Sequence, residues 1–357
     1  MNINLHFTTN LLKWYNSKDY NFPWRNCQDP YKTWLSEIML QQTQVKIVIP
    51  YFNRWIQIFP NLNSVASAHS ESILKQWEGL GYYARARNFY KACKIVNDVH
   101  MGEIPKDYST FLMLPGVGPY IAGAVLSIAF NNPIPAVDSN AHRVVSRLYE
   151  IPGVFNKSKG EIKDVLSSVI SKKNPGDFNQ ALMDLGREIC IPTQPKCNIC
   201  PVVNYCNAHI NNSINSYPSK IQSKKKPHYN IGVGIIWNKG KILIAKRKEN
   251  GFLGGLWEFP GGKLEKGENI TQWIIREVNE ELGIQVQPTS LLKQIKHTYS
   301  HFSITMDAYN CDYLHGTPHA IGCDKWQWIW PKDILKLPFP KANHKLFDQL
   351  IEKSNQC

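Results

Sequence analysis

Along this 357-residue chain the spacing of apolar residues changes character once. Up to about residue 210 it is helical, as in Trp34-Leu35-Ile38-Met39 and Ile121-Val125-Ile128-Ala129, which return to one face every three or four positions. After about residue 230, Ile231 to Trp237 and Lys241 to Arg247 read as strands, followed by a helix near Ile270 to Leu282 and further strands. Between them residues 211–230, NNSINSYPSKIQSKKKPHYN, are polar, basic and poor in aliphatics, as a linker is. This change of period predicts a helical region over 1–210, a linker over 211–230 and an α+β domain over 231–357, in a chain long enough for two or three domains with separate cores.

Charge narrows the partners. With 41 Lys and Arg against 28 Asp and Glu, the formal charge is +13, which points to polyanions, although ribosomal and membrane-surface proteins are basic too. The longest apolar run, Ile121 to Phe130, is too short to span a bilayer, and MNINLHFTTN lacks a charged region followed by an apolar core. The expectation is a soluble, cytoplasmic protein with no membrane partner. Nine cysteines is an odd number, and four of them crowd between Cys190 and Cys206, which favours metal ligation in a reducing compartment over disulfides.

Several stretches carry candidate chemistry. Leu114-Pro115-Gly116-Val117-Gly118-Pro119 lies between a short apolar segment and a small-residue helix beginning near Pro119. Gly116 and Gly118 bring bare backbone close to a partner, and the new helix N-terminus favours an anion such as phosphate; an ordinary αα-corner has the same pattern. Asp138 follows the extended run Pro133 to Val137 and opens a helix, and taken alone it reads as an N-cap. Glu37 sits among large apolar residues. It is either the polar edge of an amphipathic helix or a buried carboxyl that keeps its proton near neutrality. Trp77 to Arg87 sets Leu80, Tyr82 and Tyr83 beside Arg85 and Arg87, as wedges for a base stack or as core beside a solvated basic helix. Cys190-x6-Cys197-x2-Cys200-x5-Cys206 is a four-thiolate pattern that suits zinc or a four-iron cluster.

Taken together, a glycine hairpin followed about twenty residues later by a proline-rich loop and an Asp resembles the helix-hairpin-helix DNA glycosylases. SEIMLQQTQV, residues 36–45, resembles the adenine DNA glycosylases of the MutY type. The resemblance covers nearly the whole chain. It implies an all-α core, with a six-helix part over about 25–132 and a cluster-bearing part made of the N-terminus and about 133–210. The implied partner is double-stranded DNA with adenine opposite 8-oxoguanine or guanine, and the implied reaction is adenine excision. Glu37 would protonate the purine, Asp138 would stabilise the sugar cation, and Asn140 would orient Asp138 or the water. Leu80 and Tyr82 would intrude near the base opposite the target, with Gln42 and Thr43 lining the same site. Where the related endonuclease III group has a strand-cutting lysine, this chain has Tyr120, which has no amine; it is expected to hydrogen-bond to Asp138 or to the sugar. The cysteine spacing is the one this superfamily uses for a 4Fe-4S cluster, and Lys196 in the pinned loop would meet DNA phosphates.

The C-terminal half carries a full match to the Nudix signature at Gly262, Glu268, Arg276, Glu277, Val278, Glu280, Glu281, Gly283 and Ile284. Glu277, Glu280 and Glu281 share a helix face and could hold Mg²⁺. The C-terminal domain of adenine glycosylases resembles a Nudix fold but commonly lacks an intact box, so this chain departs from the pattern. Tyr299-Ser300-His301 resembles the loop that recognises 8-oxoguanine. The domain is therefore expected to read the lesion, with pyrophosphate hydrolysis as the rival. A bifunctional glycosylase/lyase, a free-standing Nudix hydrolase and a non-catalytic DNA-binding protein are the other readings. A monomer is expected, and Cys27, Cys93, Cys311, Cys323 and Cys357 are left to packing or exposure.

Overall fold

A computed structural model of the chain describes residues 3–25, 27–219, 226–264, 267 and 269–354. Its helices are α1 (Ile3–Asn16), α2 (Pro30–Leu40), α3 (Val45–Ile58), α4 (Leu62–Ala66), α5 (Ser70–Trp77), α6 (Ala84–Val99), α7 (Tyr108–Leu112), α8 (Pro119–Phe130), α9 (Ser139–Tyr149), α10 (Phe155–Val169), α11 (Pro175–Glu188), α12 (Asn207–Ile210), α13 (Ile270–Leu282) and α14 (His344–Ser354). Contacts divide the chain into two units, Met1–Ser67 with Asn88–Ser223, and Ala68–Arg87 with Lys224–Cys357. Residues 68–87, inside the helical region by sequence, thus group with the C-terminal unit.

In the first unit, α8 is the hub. It is apolar on every side because α2, α7 and α11 all pack on it. Gly118 caps its start, Pro119 takes the first turn, and Asn131 ends it in the left-handed region (φ 59°). A Cβ on Gly123 would stand 2.4 Å from the Pro135 carbonyl oxygen, so this glycine lets the proline-rich run lie against the helix. That run delivers Asp138 to the start of α9, whose residues Ala141 to Leu148 are all buried. Phe7 and Leu11 of α1, Val144 and Leu148 of α9, Ile162 and Leu166 of α10, and Phe178 and Leu185 of α11 make one core. Among the described residues, no helix is long and apolar enough to cross a membrane.

The second unit is built on a mixed sheet of β1 (His228–Asn238), β2 (Lys241–Lys246), β3 (Trp257–Glu258), β4 (Gly261–Lys263), β5 (Gln285–Thr298), β6 (Ser303–His315) and β7 (Lys325–Ile329). The strand order is β3-β2-β1-β6-β5, with β4 paired to β1 and β7 to β2. Val233, Ile235, Ile242 and Ile244 pack under α14 through Leu346, Phe347 and Leu350, whereas Ile236, Leu243 and Ala245 meet Trp273, Ile274 and Val278 of α13. Burial on both faces explains why β1 and β2 read as nearly continuous apolar runs. β1 starts at His228, inside the polar 211–230 stretch, because parallel pairing with β6 continues down to Ser303. Cys93, Cys311 and Cys323 are buried and Cys27 is partly so; Cys357 lies outside the described residues.

Candidate active site

Glu37 is on the third turn of α2, which Asp29 caps by accepting from the backbone N–H of Tyr31 (2.9 Å) and Lys32 (3.1 Å). Glu37 is 5% exposed. Burial pushes its pKa up to about 6, while the Tyr120 hydroxyl and the Arg25 guanidinium hold it down and the negative charges of Asp138 and Asp184 add to the rise. A carboxyl in that range is protonated often enough to donate near neutrality.

Asp138 is the N-cap of α9. One oxygen accepts from the Ala141 backbone N–H (2.6 Å) and the other from the Asn140 side-chain amide (2.9 Å). Burial moves its pKa upward, against those two hydrogen bonds. Asn140 is itself fixed, since its carbonyl accepts from Arg143 Nη2 at 2.8 Å. The same guanidinium donates to the carbonyls of Gly186 and Cys190, both at 2.7 Å. The cap reading and the chemical reading of Asp138 are thus not exclusive: capping leaves the carboxylate facing a cavity.

That cavity, of about 720 Å³, is lined by Glu37, Thr43, Tyr120, Asp138 and Asn140, together with Tyr20, Phe22, Trp24, Arg25, Met183 and Asp184. Its size, apolar walls and few convergent polar groups suit a planar ligand the size of a nucleobase. Tyr120 is corrected in one respect: its hydroxyl donates to Glu37 Oε2, with Met183 Sδ 3.4 Å away, and not to Asp138. The packing of α2 on α8 sets this choice, and a linear pattern does not contain it. The sequence reading also missed Arg25 and Asp184, which pair at 3.1 Å and are both nearly buried. Asp184 carried the signal that exposed Glu37, an acid among apolar residues on a helix, and Tyr20-x-Phe22-x-Trp24 announced a wall by its alternation.

The four cysteines come together. Cys190, Cys197, Cys200 and Cys206 line one cavity with Ile189, Val203 and Ile214. Arg147, a turn beyond Arg143 on α9, spans this loop: Nη1 lies 3.4 Å from Cys190 Sγ and donates to the Ile191 carbonyl (2.8 Å), and Nη2 donates to that of Pro192 (3.0 Å). Four thiols around an apolar hollow with a cation beside them are a donor set that fits an anionic iron-sulfur centre. Lys196 is exposed on the same loop.

Gly116 has φ +78° and is exposed at the hairpin, and Gly118 opens α8. Gln42 is exposed with φ 56°, and Thr43 borders the cavity. The wedge segment differs from expectation. Leu80 is only 6% exposed and Tyr83 4%, because Gly79, Gly81 and Tyr82 all take positive φ and the turn folds these two side chains inward. Tyr82 stays partly exposed, its hydroxyl 3.5 Å from His301 Nε2. Ser300 and His301 are exposed on the β5–β6 turn, while Tyr299 is half-buried against Phe252 and Phe302.

The Nudix carboxylates are already engaged. Arg276 Nη1 donates to Glu277 and Glu280, each at 3.1 Å, and Glu281 accepts from the Gly261 N–H at 3.3 Å. Burial and the nearby Glu258 raise Glu281 to about 7. Glu268 lies outside the described residues. Among those described, no group of three His, Cys, Asp or Glu side chains converges as a single-ion site.

Comparison with known proteins agrees with this architecture. Residues 35–172 match the family model of the HhH-GPD superfamily base excision DNA repair proteins, and residues 232–349 match that of the NUDIX domain. The chain is 37% identical over 310 residues to the adenine DNA glycosylase of Buchnera aphidicola subsp. Baizongia pistaciae, with 84% of each chain covered. It is 30% identical over 397 residues to that of Rattus norvegicus, covering 96% of this chain and 77% of the rat protein. A solved thermostable thymine-DNA glycosylase superposes with a TM-score of 0.53 at 26% identity, over 57% of this chain and 95% of that one. The chain belongs to the adenine DNA glycosylase family, and is a DNA-binding N-glycosylase of base excision repair, a hydrolase with a helix-hairpin-helix body and a Nudix domain.

Proposed function

We propose that this enzyme removes adenine paired with 8-oxoguanine or guanine, acting as a monomer on double-stranded DNA and leaving the strand uncut. What carries the reading is that Glu37 and Asp138 border one cavity, with burial keeping the first partly protonated near neutrality. The adenine leaves the stack at a cost of a few kcal/mol, which phosphate contacts at Gly116, Gly118 and Lys196 offset. Glu37, held by Tyr120, donates its proton to the extruded purine and makes it a leaving group. Positive charge then grows on the sugar, where Asp138 faces it, fixed by Ala141 and Asn140, until the purine departs and a water molecule adds to the anomeric carbon and releases a proton, leaving an abasic sugar. A carboxylate about 4 Å from a developing unit charge is worth about 4 kcal/mol at an effective dielectric of about 20. That is roughly a thousandfold in rate. Strand cleavage of the endonuclease III kind needs an amine at residue 120, and here the group is a phenol already bonded to Glu37.

Cys190, Cys197, Cys200 and Cys206 would hold a 4Fe-4S cluster, which when bound ties together the loop that carries Lys196. The Nudix unit is assigned as a reader, with Ser300 hydrogen-bonding 8-oxoguanine and Tyr299 and His301 framing it, and Mg²⁺ plays no part in that role. Gln42, Thr43 and Tyr82 border the opened stack; Leu80 would have to turn outward on binding. The test is single-turnover adenine release from duplexes with 8-oxoguanine, guanine or thymine opposite the adenine, using wild type and Ser300→Ala. Release is expected from the first two, with the preference for 8-oxoguanine reduced in the variant; equal release from all three would end the proposal.

A further inference from the structure

At one end of the sheet, three rungs carry polar side chains on the same face. Register sets His228, Ser303 and Thr298 side by side, then Asn230, Thr305 and Lys296, then Gly232, Asp307 and Gln294. Side chains alternate along a strand, so these share the face that α13 covers farther along, where Trp273 lies over Gly232. At this end His228, Asn230, Lys296 and Thr298 are exposed, and an open cleft is lined by His228, Lys296, Thr298, Ser303 and Thr305. The two ring nitrogens of His228 are hydrogen-bonded with Ser303 Oγ (2.9 Å) and Thr305 Oγ1 (3.1 Å), which fixes imidazole and hydroxyls across two strands. Asp307, the acid of these rungs, accepts from Gln294 Nε2 at 2.8 Å. The turn joining the two strands here is the one that bears Tyr299, Ser300 and His301. In the sequence, Lys224-Lys225-Lys226 comes just before His228.

We propose that this cleft binds a phosphodiester of the DNA strand whose base is presented to the 299–301 turn. An ammonium, hydroxyls and an imidazole are groups that meet phosphate oxygens whatever the base. The inference rests on the reader assignment of that turn. Losing one cation–phosphate contact lowers the slope of log affinity against log salt by about 0.9, which is about fivefold in affinity at about 0.15 M salt.

The experiment measures binding of the full-length protein to duplexes with 8-oxoguanine or guanine opposite a non-hydrolysable adenine nucleoside, over a range of salt. Lys296→Ala should weaken both duplexes alike by that factor and slope, Lys296→Arg should restore them, and unfolding midpoints report that the variants are folded. Neutral methylphosphonates, placed singly along the lesion strand, should weaken wild type at one position where Lys296→Ala loses nothing more. An unchanged slope, a loss confined to one base, or additive losses at every methylphosphonate would overturn the proposal. So would Lys296-dependent displacement of the duplex by a free deoxynucleoside triphosphate, which would assign the cleft to nucleotides. Ser300→Ala separates the two claims: an unchanged preference for 8-oxoguanine ends the reader assignment, while the Lys296 salt slope stands or falls by itself.

Discussion

At the scale of single residues, the site depends on how Glu37 is held. Proton donation needs its protonated form, so kcat/KM should fall as pH rises above about 6. Removing the hydroxyl in Tyr120→Phe deletes a hydrogen bond that holds the Glu37 pKa down, so the alkaline limb should move to higher pH even as the maximal rate drops. A pH–rate profile of the two proteins checks this, and a limb that moved down would contradict it. Stability follows the same sign. The Glu37 pKa lies above its ordinary 4.5, so the wild type's stability contribution from this group is whole below that value and is lost as pH climbs through about 6. Glu37→Gln escapes the loss, and denaturant unfolding should find it more stable by about 2 kcal/mol above pH 6 yet not below pH 4.

At the scale of elements, the placement of Asp138 depends on how closely α11 approaches α9. A Cβ on Gly186 would meet Asn140 Cβ at 2.6 Å and its backbone at 3.0 Å. Gly186→Ala should therefore push the first turn of α9 outward, costing about 1–3 kcal/mol of stability as overpacking does. It should also slow single-turnover release, whereas Gly160→Ala, where a Cβ meets open space, should do neither. Arg143 and Arg147, one turn apart on a helix otherwise buried among apolar neighbours, tie α9 to the cysteine loop. Their spacing was visible in the sequence, but most of what they bind was not: apart from Asn140 and Ser139 beside Arg143, their acceptors at Gly186, Cys190, Ile191, Pro192 and Tyr217 are backbone carbonyls distant in the chain. Asp138 was the reverse case: local pattern gave its cap, and only resemblance to a family gave its chemistry. Leu80 shows a third kind of gap. A turn built on Gly79 and Gly81 was legible, and the sense in which it folds its side chains was not.

For the whole molecule, the change of hydrophobic period announced two folds, and the family models fall on either side of it. The period did not announce that residues 68–87 would cluster with the C-terminal unit, since that depends on contacts such as the bonds of Glu78 with His344 and the Phe339 N–H. The proposed cluster is held by one short stretch, residues 190–206, of the first unit. Purified protein should absorb at about 400 nm, and Cys200→Ser should lose that band and unfold at lower temperature. A colourless, zinc-loaded protein would contradict the assignment.

The most direct measurement incubates an 8-oxoguanine:adenine duplex with wild type, Glu37→Gln and Asp138→Asn under single-turnover conditions, half of each sample then being treated with alkali. Wild type should release adenine and show a strand break only after alkali; Asp138→Asn should be slower by about a thousandfold, as the loss of about 4 kcal/mol implies, and Glu37→Gln by about a hundredfold to ten-thousandfold, as the loss of a general acid does. A variant that kept the wild-type rate would show that the two carboxyl groups do not divide the work on the glycosidic bond, and a strand cut without alkali would contradict the reading of a phenol at residue 120 as unable to support strand cleavage.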